Sequence, residues 1–298
     1  MYNPLSKKER RLKQARKRVA LLSDYKAIQL CINYQNSILE SDVRGIGNQE
    51  KDEIIVSLTT IESRLDKVAY TIESLMQQTL KADQIFLCLG EDQIQKQDIP
   101  LDLKKLESRG LTIKFCKKDL GPYTKFFYTL KNNPDSLIIT VDDDILYPAN
   151  TLEKLYSAYR KESNVIHCHR GHKIKISGNH ILPYKQWQYS SQEPAASKLI
   201  FPTGVGGVLY FPGALDEQVL NQEVFMDICP KADDIWLKAM SLKKGVLCRT
   251  IQHLDSFQYE FPSIPGSQLV SLKRANKKND GNNLKLINTF KKYNLNEK

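Results

Sequence analysis

The sequence lacks any apolar run near the ~18 residues that a membrane-spanning helix requires. Its opening stretch, MYNPLSKKERRLKQARKRVALL, is basic and amphipathic and holds no apolar signal core. These two absences predict a protein that stays in the cytoplasm. No CxxC pair occurs among Cys31, Cys88, Cys116, Cys168, Cys229 and Cys248, and several lie inside apolar runs such as IFLCL and TIKFC. Buried free thiols are therefore expected in place of a disulfide or zinc framework. Neither GxGxxG nor GxxxxGK[ST] appears, which argues against a dinucleotide enzyme and a P-loop nucleotidase. Internal repeats and low-complexity tracts are missing too.

What remains is a chain of 298 residues, 41% hydrophobic and 26% charged, enough for one substantial α/β core with appendages. The net charge of +10 is unevenly placed. Residues 1–26 carry nine Lys/Arg against two acids and residues 273–298 carry eight against two, leaving 27 basic and 30 acidic residues between. The body is slightly acidic and the basicity belongs to the ends. Such ends suit an anionic surface, so peripheral contact with the inner face of a membrane is one expectation; a solvated helical face is the plainer one.

Residues 1–50 read as a basic helical extension, with one or two helices over 5–40 and a linker, SDVRGIGNQEKDE. Residues 51–298 read as the main domain, with a nucleotide-binding half to about 148 and an acceptor-binding half beyond. EIIVSL (53–58), QIFLCL (84–89), LTIKFC (111–116) and SLIITV (136–141) are short β-rich runs suited to strands covered on both faces. Between them, RLDKVAYTIESLMQQ (64–78) has helical apolar spacing, LDLKKLESRG ends on a cap glycine, and YTKFFYTLKNNP stops at proline. Alternating strands and helices predict a Rossmann-like, mostly parallel sheet flanked by helices, with ligands beyond the carboxyl ends of the strands.

The fourth strand runs into Asp142, Asp143 and Asp144. Three adjacent carboxylates repel one another unless positive charge joins them, and hard oxygen ligands suit Mg²⁺ or Mn²⁺. In extended geometry Asp142 and Asp144 share one side and Asp143 faces away. The alternative, acids favouring a helix N-terminus, accounts for one of the three. Later, KADDIWLKAM starts an amphipathic helix with Asp233 and Asp234, where one acid can cap and the other face a cleft. TGVGGVLYFPG places Gly204, Gly206 and Gly207 where backbone can approach a substrate closely, or only bend. HCHRGH suggests zinc, but strand alternation separates Cys168 from His167 and His169; Arg170 and His172 are kept as substrate contacts.

IITVDDDILYP resembles the DXD motif of GT-A glycosyltransferases. VSLTTIESRLDKVAYTIESLMQQTLKADQIFL is similar to the opening of bacterial family-two-like transferases. DLGPYTKFFYTLKNNPDSLIITVDDDILYP, FPTGVGGVLYFPGAL and KADDIWLKAM resemble a bacterial polysaccharide and lipooligosaccharide subgroup over about residues 53–290. The resemblance implies a GT-A fold and transfer of a sugar from a nucleotide-diphosphate donor to a glycan or lipid-linked acceptor, aided by Mn²⁺ or Mg²⁺. It implies Asp144 and Asp142 as metal residues, and Thr59, Arg64, Lys125, Asp142 and Asp143 as contacts to the nucleotide-sugar. It also implies Asp234, with Asp233 beside it, as general base, and Gly206 and Gly207 toward the acceptor, the side to which Arg170 and His172 are also assigned. An inverting outcome is expected, with a retaining one left open. The rival class is a metal-dependent nuclease or other nucleic-acid-associated protein using the basic ends. Against it, those ends lack interleaved aromatics and the core is acidic, so no nucleic acid is expected as a partner.

Overall fold

Strands that are apolar at every position need cover on both faces, and the computed structural model supplies it; it describes residues 6–178, 180–267 and 281–295. The chain begins with one long helix, α1 (Lys7–Glu40). Its start is set by a capping box: Ser6 Oγ accepts from the Glu9 amide at 3.2 Å and Glu9 Oε2 accepts from the Ser6 amide at 2.7 Å. There follow β1 (Ile54–Thr59), α2 (Val68–Met76), β2 (Gln84–Gly90), α3 (Leu101–Ser108), β3 (Leu111–Cys116), α4 (Thr124–Asn132) and β4 (Leu137–Thr140). The second half adds α5 (Thr151–Lys161), β5 (Val165–Cys168), β6 (Gly171–Lys173), β7 (Ile176–Ser177), β8 (His180–Ile181), β9 (Ile200–Pro202) and β10 (Val208–Tyr210). It closes with α6 (Gln222–Ile228), α7 (Asp233–Lys244), β11 (Leu247–Thr250), α8 (Phe257–Glu260) and α9 (Gly281–Lys292).

The central sheet has seven strands in the order β11-β5-β10-β4-β1-β2-β3. Six run one way, and β10 runs antiparallel between β4 and β5. Alternation along β1 decides the layers. Ile54, Val56 and Leu58 pack with α2, α3 and α5, whereas Ile55 lies on the other face with Phe86 and Cys88. That second face is covered by α4, α6, α7 and α9 through Phe126, Phe225, Trp236 and Phe290. The α/β class, the mostly parallel sheet flanked by helices and the helical N-terminus are thus present in the molecule. Among the described residues, no helix is long and apolar enough to cross a membrane.

α1 lies on the body through Ser23, Ala27, Tyr34 and Ile38. Beneath it, Arg109 holds Glu73 with two bonds of 2.7 and 3.1 Å, and Ser37 Oγ donates to the same carboxylate at 2.7 Å. The segment expected as a linker runs along the core: Gly45 N donates to Arg109 O at 2.8 Å and Gly47 N to Ala82 O at 2.9 Å. The basic stretch from residue 273 and the Asn279-Asp280 pair before the last helix lie outside the described residues up to 280.

Candidate active site

The site gathers at the carboxyl edge of the sheet, where β4 ends. β4 stops at Thr140, and Asp143 and Asp144 already belong to a turn. Strand alternation therefore does not apply to the triplet, which corrects the expectation that Asp143 faces away from the other two. Asp143 and Asp144 both reach Arg64, at 2.6 and 3.4 Å, while Asp142 turns the other way to Lys125 at 2.8 Å. Tyr147 fixes the turn: the Asp142 amide donates to its hydroxyl at 2.9 Å. Below, Thr71 Oγ1 donates to the carbonyls of Asp143 and Ile145. Asp142 is also the open member, with its side chain 33% exposed against 9% and 11% for Asp143 and Asp144.

Lys125, on the first turn of α4, links the two halves of the chain. Its ammonium lies between Asp142 and Asp233, 3.0 Å from the latter. Burial alone would depress its pKa, but Asp142, Asp233 and Asp234 outweigh that and hold it well above the usual lysine range. Asp233 and Asp234 occupy the first turn of α7, where the helix dipole favours negative charge. The cap position is Ala232, which has no capping side chain. Neither acid takes that position; both project into the cleft, where the sequence assigned only one. Asp234 Oδ1 accepts from the Gly204 amide at 3.1 Å. Burial, and then the Asp233 carboxylate beside it, push Asp234 up to about 8. Burial also raises Asp233 and Asp143, with Lys125 and Arg64 pulling the other way.

Gly204 is the glycine that belongs to this cluster. A Cβ there would stand 2.9 Å from Asp142 Oδ1, 3.1 Å from Lys125 Nζ and 3.5 Å from Asp234 Oδ1. Gly206 instead abuts His169 and Phe257, and Gly207, with φ of +91°, backs onto Leu155, Val141 and Ile139. The three-glycine pattern said that some backbone approaches closely; it did not say which residue. Thr59 and Thr60 divide in the same way. Thr59 Oγ1 donates to the Cys88 carbonyl at 2.7 Å, whereas Thr60 Oγ1 donates to Asp143 Oδ2 at 2.6 Å. Thr60 and Tyr147 went unremarked in the sequence, although both sit within a few residues of recognised positions.

Arg170 donates from Nε to Thr203 Oγ1 at 2.9 Å and stacks over the Phe257 ring. Burial lowers its pKa, opposed by Tyr184, Asp234 and Asp142, so its charge lies toward the acid cluster. His172 is neutral: burial, with Arg170 nearby, brings it down to about 4. Its Nδ1 accepts from the Ser190 amide at 3.1 Å, and its ring meets those of Tyr184 and Tyr189. The neighbouring residues of HCHRGH go separate ways. His167 bonds Glu162 O, His169 bonds Thr151 O, and Cys168 donates to Arg249 O. His253 pairs with Glu260 and with the His169 carbonyl.

Five carboxylates thus converge with Lys125, Arg64 and Arg170, and burial first, then acid beside acid, raises Asp143, Asp233 and Asp234. Among those residues no cage of three or more His, Cys, Asp or Glu is formed. The donor set fits a divalent cation that takes one or two carboxylates from protein and its other ligands from phosphate and water. It does not fit a closed protein site.

No family model matches the chain, and no curated protein matches it in sequence. Solved structures give distant matches. A mannosyltransferase, PcManGT from Pyrobaculum calidifontis in complex with GDP-Man and Mn²⁺, is 11% identical with a TM-score of 0.48, covering 92% of this chain and 74% of its own. TarS 1–349 of S. aureus is 13% identical with a TM-score of 0.44, covering 67% of this chain and 58% of its own. The inositol-1-phosphate CTP transferase from T. maritima is 14% identical with a TM-score of 0.40, covering 68% and 86%. At these scores the chain's own geometry, not the neighbours, must carry any functional reading.

Proposed function

We propose that this chain is a GT-A-type glycosyltransferase that moves a sugar from a nucleotide-diphosphate donor onto a glycan or lipid-linked acceptor. The observation that supports it is the convergence of Asp142, Asp233, Asp234 and Lys125 around the bare backbone of Gly204, at the carboxyl edge of a mostly parallel sheet. The bare backbone of Gly204 lets the loop close onto these charged groups, and acids with raised pKa values at that point are suited to proton transfer.

In this reading the donor diphosphate lies toward Asp142, with Lys125 and Arg64 supplying positive charge to its oxygens as Asp142, Asp143 and Asp144 orient them. Asp142, the most open acid, would hold Mn²⁺ or Mg²⁺; Asp144, expected beside it but turned to Arg64, would join only by leaving that base. When bound, the ion supplies Lewis-acid stabilisation to the departing diphosphate. Asp234 takes the proton of the acceptor hydroxyl as that oxygen bonds to the anomeric carbon and the bond to the diphosphate breaks. Asp233 keeps Lys125 in place between the two halves. Arg170, His172 and the Gly204–Gly207 loop lie on the acceptor side. Inversion at the anomeric carbon follows if Asp234 acts as base and not as nucleophile.

The test is calorimetry with UDP and GDP, with and without Mn²⁺, on the wild type and on Asp142→Asn. Binding that strengthens with manganese and weakens in the variant is the expected result. If neither nucleotide binds better with the metal, the transferase reading fails.

A further inference from the structure

The body uses one face of α1 and leaves the opposite face to solvent. Leu21, Tyr25, Ile28, Ile32 and Leu39 are 50–68% exposed, although each is a large apolar residue. Their spacing runs four, three, four and then seven residues, the spacing of a coiled-coil seam with one position skipped, where Gln35 turns inward to Asp102 and Tyr70. At 3.6 residues per turn their mean direction lies about 140° around the helix from Ser23, Ala27, Tyr34 and Ile38, the residues buried on the domain. The helix is therefore two-faced, and the outward stripe runs about 27 Å at 1.5 Å per residue.

We infer that this stripe is the seam of a homodimer in which two copies of α1 pair antiparallel about Leu30. In that register Leu21 of each copy meets Leu39 of the other, and Ile28 meets Ile32. Each contact occurs twice, as a two-fold interface requires. Charge follows the same symmetry. Residues 7–18 carry eight Lys/Arg and one acid, and they run past the end of the other helix toward its residues 40–53. That segment holds Glu40, Asp42, Glu50, Asp52 and Glu53 against Arg44 and Lys51. Arg18 falls opposite Asp42, which is exposed.

An anionic lipid surface fits the stripe less well. Helices that lie on such surfaces carry Lys and Arg on the polar face that flanks the apolar one. Between residues 19 and 40 the one base is Lys26, beside the acids Asp24 and Glu40. Lys26 is already engaged, donating to the carbonyls of Tyr259 and Glu260 at 2.9 and 3.4 Å. Gln29, Asn33 and Asn36 line the stripe instead, as amides line a protein seam.

Sedimentation equilibrium on the full chain tests the pairing without any activity assay, so its outcome is independent of the transferase reading. The expected species has twice the 34.2 kDa chain mass. Ile28→Glu with Ile32→Glu should give a monomer with unchanged circular dichroism, since both side chains meet water in the single chain, and a melting temperature that no longer rises with protein concentration. Arg18→Glu should weaken the dimer about fivefold, and adding Asp42→Arg should restore it. A monomeric wild type at tens of micromolar overturns the inference, and so does a dimer indifferent to the Ile28/Ile32 pair. A monomer that co-sediments with phosphatidylserine vesicles through Ile28 and Ile32 assigns the stripe to lipid and overturns it as well.

Discussion

Asp142 and Gly204 meet across the cleft, and small changes to either have distinct expected outcomes. Asp142→Asn removes the open carboxylate and one partner of Lys125, and should cut turnover about 100-fold with the melting temperature little changed. Gly204→Ala places a methyl group 2.9 Å from Asp142 Oδ1 and should depress kcat through the disturbed Lys125–Asp142 pair, while circular dichroism stays native. Asp234 makes a pH prediction. Its pKa is raised from an ordinary 3.8 to about 8, so the stability tied to its protonated form is full below pH 4 and lost as pH rises toward 8. Melting curves from pH 4 to 9 in chelator should show the wild type losing ground to Asp234→Asn across that window. Manganese should flatten the difference if a cation enters the cluster. The sequence made the acids legible, because three carboxylates abutting an apolar strand are conspicuous. It did not reveal which base each one meets, since that depends on the chain turning directly after Thr140. Glycine spacing likewise could not separate Gly204 from Gly206 and Gly207, which differ in what lies across from them.

At the scale of elements, β1 to β4 and the helices between them were readable to within a few residues, because each is a short apolar run or a helical stripe with a clear stop. The helix read from 64 to 78 shortens to Val68–Met76, with a single 3-10 turn at Glu62–Arg64 that aims Arg64 back at Asp143 and Asp144. The second half was harder. Its strands are two to four residues long, too short for a period to declare itself, and β10 enters the sheet against the direction of its neighbours. The Arg109–Glu73 pair ties α2 to the turn after α3 and accepts Ser37 from α1. Because both charges are buried, Glu73→Ala leaves a guanidinium without its counter-charge. Urea unfolding should show a loss of about 3–5 kcal/mol.

At the scale of the whole molecule, α1 divides at about residue 20. Residues 9–18 are exposed, and from Ser23 onward one face is buried on α2, α3 and α8. A chain beginning at Leu21 should melt with the wild type, whereas one beginning at Ser41 should melt well below it, having uncovered Glu73 and the apolar residues under Tyr34 and Ile38. Differential scanning calorimetry separates the two cases. β10 has a wider effect. In an all-parallel sheet every connection at the carboxyl edge departs from a strand, so groups there come from chain that is leaving the layer. The single reversed strand lets chain arrive at that edge, and Thr203 to Gly207 is the arriving piece. Gly204 within it is fixed by the charged groups it abuts, while the strand register on either side does not depend on it. One arriving loop thus closes the edge beside the acids without belonging to the framework that holds them.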